Sequence, residues 1–204
     1  MHRFPRIYLA SRSPRRRELL AQAGIAFEAL PFRASPRDDP ETDETPQPGE
    51  RAEDYVLRLA RAKARFGLHL VQMRNHAVRP VLAADTTLEV DGDIIGKPAD
   101  TEDAVAILRR LSGRAHRVLT GVAVAWQERL ETALSVSEVR FRILEEAEIR
   151  AYVASGEPMD KAGAYGIQGR AALFVEHMAG SYSGIMGLPL CETGMILQVL
   201  RTAT

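Results

Sequence analysis

Residues 7–24 read IYLASRSPRRRELLAQAG, a strand, a turn and a helix in immediate succession. Ile7 to Ala10 is a short apolar run of the kind that makes a buried strand. Ser13 offers a side-chain oxygen to the free N–H groups of a helix start, and Pro14 suits the first helical position. Leu19, Leu20 and Ala23 then form an apolar stripe, and Gly24 ends the helix. Phe27 to Leu30 predicts a second strand.

Residues 31–50 are rich in Pro, Asp, Glu and Thr and break the pattern, as a loop or arm does. A helix is expected from Ala52 to Phe66, with Tyr55, Leu59, Ala62 and Phe66 on its inner face. Val81 to Ala84 predicts a buried strand that Asp85 closes. Asp91-Gly92 between two apolar pairs predicts a hairpin turn. Thr101 is the expected cap of a helix through Ala104, Ile107, Leu108 and Leu111, closed by Gly113. Strands are expected near His116–Ala125 and Thr132–Ile143, joined through residues 127–129. A helix over Glu145–Ser155, a strand near Leu173–Glu176 and a last helix after Pro189 complete the chain. Strands and helices mix without strict alternation, which predicts an α/β fold with a mixed, twisted sheet flanked by helices.

The 204 residues suit one domain, 1–204, with a sizeable core. Lys+Arg and Asp+Glu both number 27, so the chain lacks the basic excess usual for nucleic-acid binders. A single cysteine, Cys191, excludes an internal disulfide and is expected as a buried core thiol. The apolar run at Ile7–Ala10 is too short for a signal-peptide core, and nothing later has the length of a membrane span. We expect a cytoplasmic protein.

Four segments carry candidate chemistry. Ser11-Arg12-Ser13-Pro14-Arg15-Arg16 joins hydroxyls and guanidinium groups to a helix N-terminus, which attracts phosphate; a solvated basic turn is the plain alternative. Asp85, in Ala84-Asp85-Thr86-Thr87, can hold Mg²⁺ or take a proton from water, or merely form a turn with its own backbone. Gly96-Lys97-Pro98 is not a P-loop, because Pro98 stands where the metal-binding hydroxyl belongs. Lys97 can still reach a phosphate. In Glu157-Pro158-Met159-Asp160-Lys161-Ala162-Gly163-Ala164-Tyr165-Gly166-Ile167-Gln168-Gly169, the glycines permit close approach of the backbone to a ligand, or simply form a tight loop. Gln168 there offers an amide to a nucleobase edge. The acidic run Asp38–Glu44 reads as a solvated loop, one of whose carboxylates can join Asp85 around a metal. The five histidines show no paired zinc spacing.

With Thr120-Gly121-Val122 and Gly180-Ser181-Tyr182…Gly187-Leu188-Pro189-Leu190, these segments closely resemble the Maf nucleotide pyrophosphatases from about Ile7 to Leu200. The resemblance implies a Maf/inosine-triphosphatase-like fold, two lobes around a central cleft, and a homodimer. It implies Asp85 as general base, with Arg15, Thr86 and Gln168 at specificity positions. Arg16, Lys63 and Lys97 would hold phosphates beside Ser11 and Ser13, and Glu44 would join Asp85 at a divalent metal, Mg²⁺ or Mn²⁺. The form of residues 160–169 resembles the branch acting on dTTP and UTP.

The expectation is therefore a metal-dependent nucleoside triphosphate pyrophosphatase, without membrane association or stable nucleic-acid binding. Modified pyrimidine nucleotides are an alternative substrate that shares the same site. A second alternative is a regulator of septum formation that binds a partner or nucleic acid through the Arg15–Arg17 patch.

Overall fold

A computed structural model describes residues 4–30 and 43–202. Its elements are β1 (Ile7–Leu9), α1 (Pro14–Gln22), β2 (Phe27–Ala29), α2 (Ala52–Met73), β3 (Val81–Val90), β4 (Asp93–Ile95), α3 (Thr101–Leu111), β5 (Ala115–Trp126), β6 (Arg129–Phe141), α4 (Glu146–Ala154), β7 (Val175–Ala179), α5 (Tyr182–Ile185) and α6 (Leu190–Thr202). Short 3₁₀ turns fill the stretch between α4 and β7. The fold is α/β, with one seven-stranded mixed sheet in the order β2-β1-β3-β5-β6-β7 and β4 paired to β3. β1 runs parallel to β2 and β3, and the remaining pairs are antiparallel.

β3 organises the site. On one edge it pairs with β5 along most of its length, from Val81↔Ala125 to Glu89↔Arg117. Its other edge is shared: β1 takes Val81 and Leu82, and β4 takes Leu88 to Val90. Among the described residues no strand pairs with 83–87 on that edge, so the sheet is open there. Ligands gather at such changes of strand partner.

Alternation along β3 separates two cores. Val81 and Ala83 pack with Tyr8, Ala60, Ala64 and Ala123 beneath α2. Leu82, Ala84, Leu88 and Val90 face the larger core built with α1, α3, α4 and α6.

Several local expectations shift. Asp85 lies inside a continuous ten-residue strand rather than at a strand's end. The cap of α3 is Asp100, whose carboxylate accepts the Asp103 N–H at 2.8 Å, one residue before Thr101. α2 extends to Met73, and its buried stripe runs Tyr55, Val56, Leu59, Ala60, Ala64, Gly67, Val71. Ala62 and Phe66 flank that stripe, because a 3.6-residue repeat from Leu59 reaches the core again at 63–64. β5 and β6 meet through Gln127 and Glu128, and β6 begins at Arg129. β7 starts two residues later than expected, and Leu173 lies exposed in a 3₁₀ turn. Cys191 is exposed rather than buried, since the first turn of α6 places it outward.

The Asp91-Gly92 hairpin forms as expected, with both residues at positive φ (57° and 85°), the geometry of a two-residue β-turn. Of the acidic run, residues 38–42 lie outside the described residues.

Candidate active site

The open stretch of β3 forms the floor of a cleft of about 1190 Å³. Every site residue named from the sequence lines it. The turn after β1 contributes Ser11, Ser13, Arg15 and Arg16, β3 contributes Asp85 and Thr86, and α2 contributes Lys63. Glu44, Lys97 and Gln168 arrive from three separate loops.

Asp85 and Thr86 are consecutive, so their side chains leave β3 on opposite faces. Asp85 points to the α2 face and Thr86 to the larger core.

On the first face, Lys63 is half-buried at the edge of the α2 stripe, four residues after Leu59. Its Nζ donates to Asp85 Oδ1 at 2.6 Å and to Glu44 Oε1 at 2.6 Å. Glycines bring the helix this close. A Cβ on Gly121, the β5 residue opposite Asp85, would stand 2.6 Å from the Val56 carbonyl oxygen. A Cβ on Gly67 would stand 2.8 Å from Val81 Cγ1.

Glu44 is an exposed loop residue that α2 ties down. The Tyr55 hydroxyl donates to the Glu44 carbonyl at 2.8 Å. Arg58 donates to the carbonyls of Asp43 and Thr45 and pairs through two bonds with Glu50. Burial favours the neutral Glu44 carboxyl, but Lys63, with help from Lys97 and Arg16, outweighs it and holds the pKa below the ordinary carboxylate value. Lys97 Nζ lies 3.8 Å from Glu44 Oε2. Burial, reinforced by the charges of Asp85 and Glu44, pushes the Tyr55 phenol up, so it remains a donor.

On the second face Arg16 is anchored. It donates to the Gly187 carbonyl (2.7 Å), Ser11 Oγ (3.1 Å) and Thr86 Oγ1 (3.3 Å). A guanidinium carries five N–H groups, so two remain for an anion. Burial works against its charge and Asp85 supports it; the net effect lowers its pKa from the ordinary value. Thr120 Oγ1 donates to the Gly184 carbonyl at 2.8 Å and lies 2.9 Å from Thr86 Oγ1. Since Thr120 has one proton, Thr86 must be the donor between them. The Thr86 hydroxyl therefore spends its proton inside the protein, while accepting from Arg16.

Ser11 Oγ accepts from the Ser13 N–H and from Arg16, and Ser13 Oγ caps α1 by accepting the Arg16 N–H. Both serines act here as acceptors, which leaves their O–H protons for a phosphate oxygen. Arg17, which does not line the cleft, donates to the Arg12 carbonyl at 2.9 Å.

Gln168 sits at the tip of a β-turn closed by Gly169 N–H to Gly166 C=O at 3.0 Å. The Gly163 N–H bonds the Gly96 carbonyl at 2.9 Å, which joins this segment to the Lys97 loop.

Tyr55 and Arg58 belong to the site without any signal of chemistry in the sequence, while Thr120 and Gly187 fall in segments that carry the family resemblance but have no role assigned there. Tyr55 has the spacing of an ordinary core position, and the others act through contacts with residues distant along the chain that no sequence period announces.

Two carboxylate oxygens within 2.6 Å of one ammonium nitrogen form a hard-oxygen donor pair around a cation position. That pair suits Mg²⁺ or Mn²⁺ when phosphate oxygens and water complete the shell. Among the described residues no group of three or more His, Cys, Asp or Glu side chains can hold a metal.

The fold and cleft define an α/β protein that gathers arginine, lysine and carboxylate groups at a break in its sheet, where a polyphosphate would lie. The family model described as Maf-like protein matches residues 6–200, and the chain belongs to the Maf family. It is 65% identical to a dTTP/UTP pyrophosphatase of Dechloromonas aromatica, covering 96% of this chain and 97% of that one. It is 62% identical to a dTTP/UTP pyrophosphatase of Aromatoleum aromaticum over 95% of this chain and 94% of the relative. A dTTP/UTP pyrophosphatase of Bordetella avium is 52% identical over 97% and 96%. Among solved structures, the Staphylococcus aureus Ham1 protein is similar over 67% of this chain and 71% of its own, at 12% identity and a TM-score of 0.44, too distant to bear on function.

Proposed function

We propose that this protein hydrolyses dTTP and UTP to the nucleoside monophosphate and pyrophosphate. The observation that carries the reading is the convergence of Asp85 with Arg16, Lys63, Lys97 and Glu44 in one cleft. Relatives at 52–65% identity bear the name of that activity.

The two faces of β3 divide the work. Arg16, fixed by Gly187, Ser11 and Thr86, directs its two remaining N–H groups at phosphate oxygens. Ser11, Ser13 and the N-terminus of α1 add donors to the same anion. Lys63 and Lys97 balance the charge that builds on the departing pyrophosphate, an electrostatic contribution that dominates in such sites. Asp85 takes a proton from the attacking water. The water oxygen forms a bond to the α-phosphorus, the bond from that phosphorus to the bridging oxygen breaks, and its electron pair leaves with pyrophosphate. Lys63 engages only Oδ1 of Asp85, which leaves Oδ2 to accept the proton. Asp85 and Glu44 would hold Mg²⁺ or Mn²⁺, which supplies charge neutralisation and a more acidic water when bound. Gln168, exposed at its turn tip, reads the base edge, with Arg15 in the same cleft. Thr86, its proton committed to Thr120, serves by fixing Arg16.

The reading extends to a homodimer in the cytoplasm, free of stable nucleic-acid contacts. The family resemblance, the single cysteine and the neutral net charge support it, and no described helix is long and apolar enough to cross a membrane.

The test is pyrophosphate release from a panel of nucleoside triphosphates, with Mg²⁺ and with EDTA. Metal-dependent release from dTTP and UTP, lost in Asp85→Asn, is the expected outcome. No release from any nucleotide by folded protein would overturn the reading and favour the regulatory one. In that case, steep weakening of nucleic-acid binding with salt would identify an arginine-patch interaction.

A further inference from the structure

The turn that presents Gln168 is held at both ends by two side chains outside it. At one end the Gly166 N–H donates to the Tyr152 hydroxyl at 3.3 Å. At the other the Arg170 N–H donates to Glu157 Oε2 at 3.2 Å. Tyr152 joins the two, because its hydroxyl donates to Glu157 Oε1 at 3.1 Å. The glycines let these side chains approach the turn: a Cβ on Gly169 would fall 1.9 Å from Glu157 Oε1, and one on Gly166 would fall 2.8 Å from Lys161 Cε.

The support is itself rigid. Tyr152 is buried on α4, and its ring meets Phe174 edge-on at 5.2 Å. Glu157 opens the 3₁₀ turn that follows α4, and its carbonyl accepts from the Lys161 ammonium. Inside the turn Ile167 is buried, which leaves Gln168 as the exposed residue of the pair at the tip. The backbone that carries Gln168 is thus held by α4 and the segment after it, and none of these contacts touches Arg16, Lys63 or Asp85.

We propose that Tyr152 and Glu157 are positioning residues for nucleotide selection, holding the two ends of the turn that presents Gln168 to the base. The proposal rests on Gln168 as base reader. A polar group that discriminates by hydrogen bonding must be held in place, since a misaligned amide accepts a wrong base nearly as well as the right one.

The experiment compares wild type, Tyr152→Phe, Gln168→Ala and the double variant of the full chain. It measures kcat and KM for dTTP, UTP and GTP at saturating Mg²⁺, with a thermal melt of each protein. The Phe ring keeps the packing against Phe174 and removes only the hydroxyl. Glu157→Gln, of the same size, provides a second variant that loses one of the two carboxylate acceptors.

We expect Tyr152→Phe to keep kcat for dTTP within about threefold and to raise its KM about tenfold. The preference for dTTP over GTP in kcat/KM should fall about tenfold, and Glu157→Gln should change it in the same direction. In the double variant the preference should fall no further than in Gln168→Ala alone, because both changes act through one group. If Tyr152→Phe slows all nucleotides alike, or its effect on preference adds fully to that of Gln168→Ala, the positioning role is wrong while the base reader stands. If Gln168→Ala itself leaves the preference unchanged, the base-reading assignment fails first and the proposal falls with it.

Discussion

Lys63 lies between Asp85 and Glu44, its ammonium nitrogen 2.6 Å from an oxygen of each. It therefore stands where a divalent cation shared by those carboxylates would stand. Two cations cannot share that position, so metal and nucleotide should enter together, with phosphate drawing Lys63 aside. Lys63→Met removes the competing charge. Mn²⁺ binding to the nucleotide-free protein, followed by electron paramagnetic resonance, should become about tenfold tighter or more, while kcat/KM for dTTP falls. Unchanged Mn²⁺ affinity would show that Lys63 and metal occupy different places.

Asp85→Asn keeps size and hydrogen-bonding capacity but not basicity. Turnover of dTTP should drop by about 10²–10⁴-fold, the span typical of a lost general base. The melting temperature should stay within a few degrees of wild type. Wild-type-like rates would end the assignment of Asp85 as base.

Thr120 is buried and meets the anchored arginine only through Thr86. Thr120→Val removes one of the two donors to the Gly184 carbonyl, which keeps the Gly187 N–H, and takes the acceptor from the Thr86 hydroxyl, freeing Thr86 to rotate. The loss should cost about 0.5–1.5 kcal/mol of stability, the usual net contribution of an internal hydrogen bond. KM for the nucleotide should rise through the loosened Arg16, and Thr120→Ser should restore most of it. A Val variant with wild-type KM would show that the relay does not orient Arg16.

Gly121→Ala places a methyl group 2.6 Å from the Val56 carbonyl oxygen. Backbone cannot yield there as a flexible side chain would, so α2 must shift, and Lys63 with it. Overpacking of this kind costs about 1–3 kcal/mol. Chemical denaturation should record that loss, and turnover should fall with it. Full activity in a stable Ala variant would show that the helix can move without disturbing Lys63.

His116 is 2% exposed, bonded through Nε2 to the Tyr165 hydroxyl at 2.8 Å, and its Nδ1 has no partner. Burial lowers its pKa from 6.5 to about 4. The unfolded chain therefore takes up the proton first as pH falls. Stability should decline from about pH 6.5 to about pH 4 and then level off as far as this group is concerned. The span amounts to roughly 3 kcal/mol at most. Denaturation midpoints measured across that range should flatten in His116→Gln; an unchanged slope would exclude His116 as its source.

Much of the local architecture is legible in the amino-acid sequence. Ser13 and Pro14 start a helix because cap and ring geometry act within one turn, and Asp91-Gly92 reverses the chain because both residues tolerate positive φ. The family resemblance groups the candidate site residues as a set, and all of them line one cleft.

What the sequence leaves open depends on partners distant along the chain. Asp85 reads as a strand end because polar residues interrupt the apolar run after Ala84. Pairing with β5 carries the strand through to Val90, and only the division of its other edge between β1 and β4 makes an opening there. Thr86 and Arg16 read as groups awaiting a ligand, yet Thr120 takes the Thr86 proton, and Gly187, Ser11 and Thr86 take three of the five Arg16 N–H groups. Cys191 reads as a core thiol, but the rotation of α6 against the sheet turns it outward. The sequence by itself determined which residues can cap, turn, pack and carry charge, since those properties reside in a residue and its near neighbours. Tertiary structure alone decided which face each side chain points to and what already occupies its hydrogen bonds, because register and helix rotation are set by the whole core packing at once.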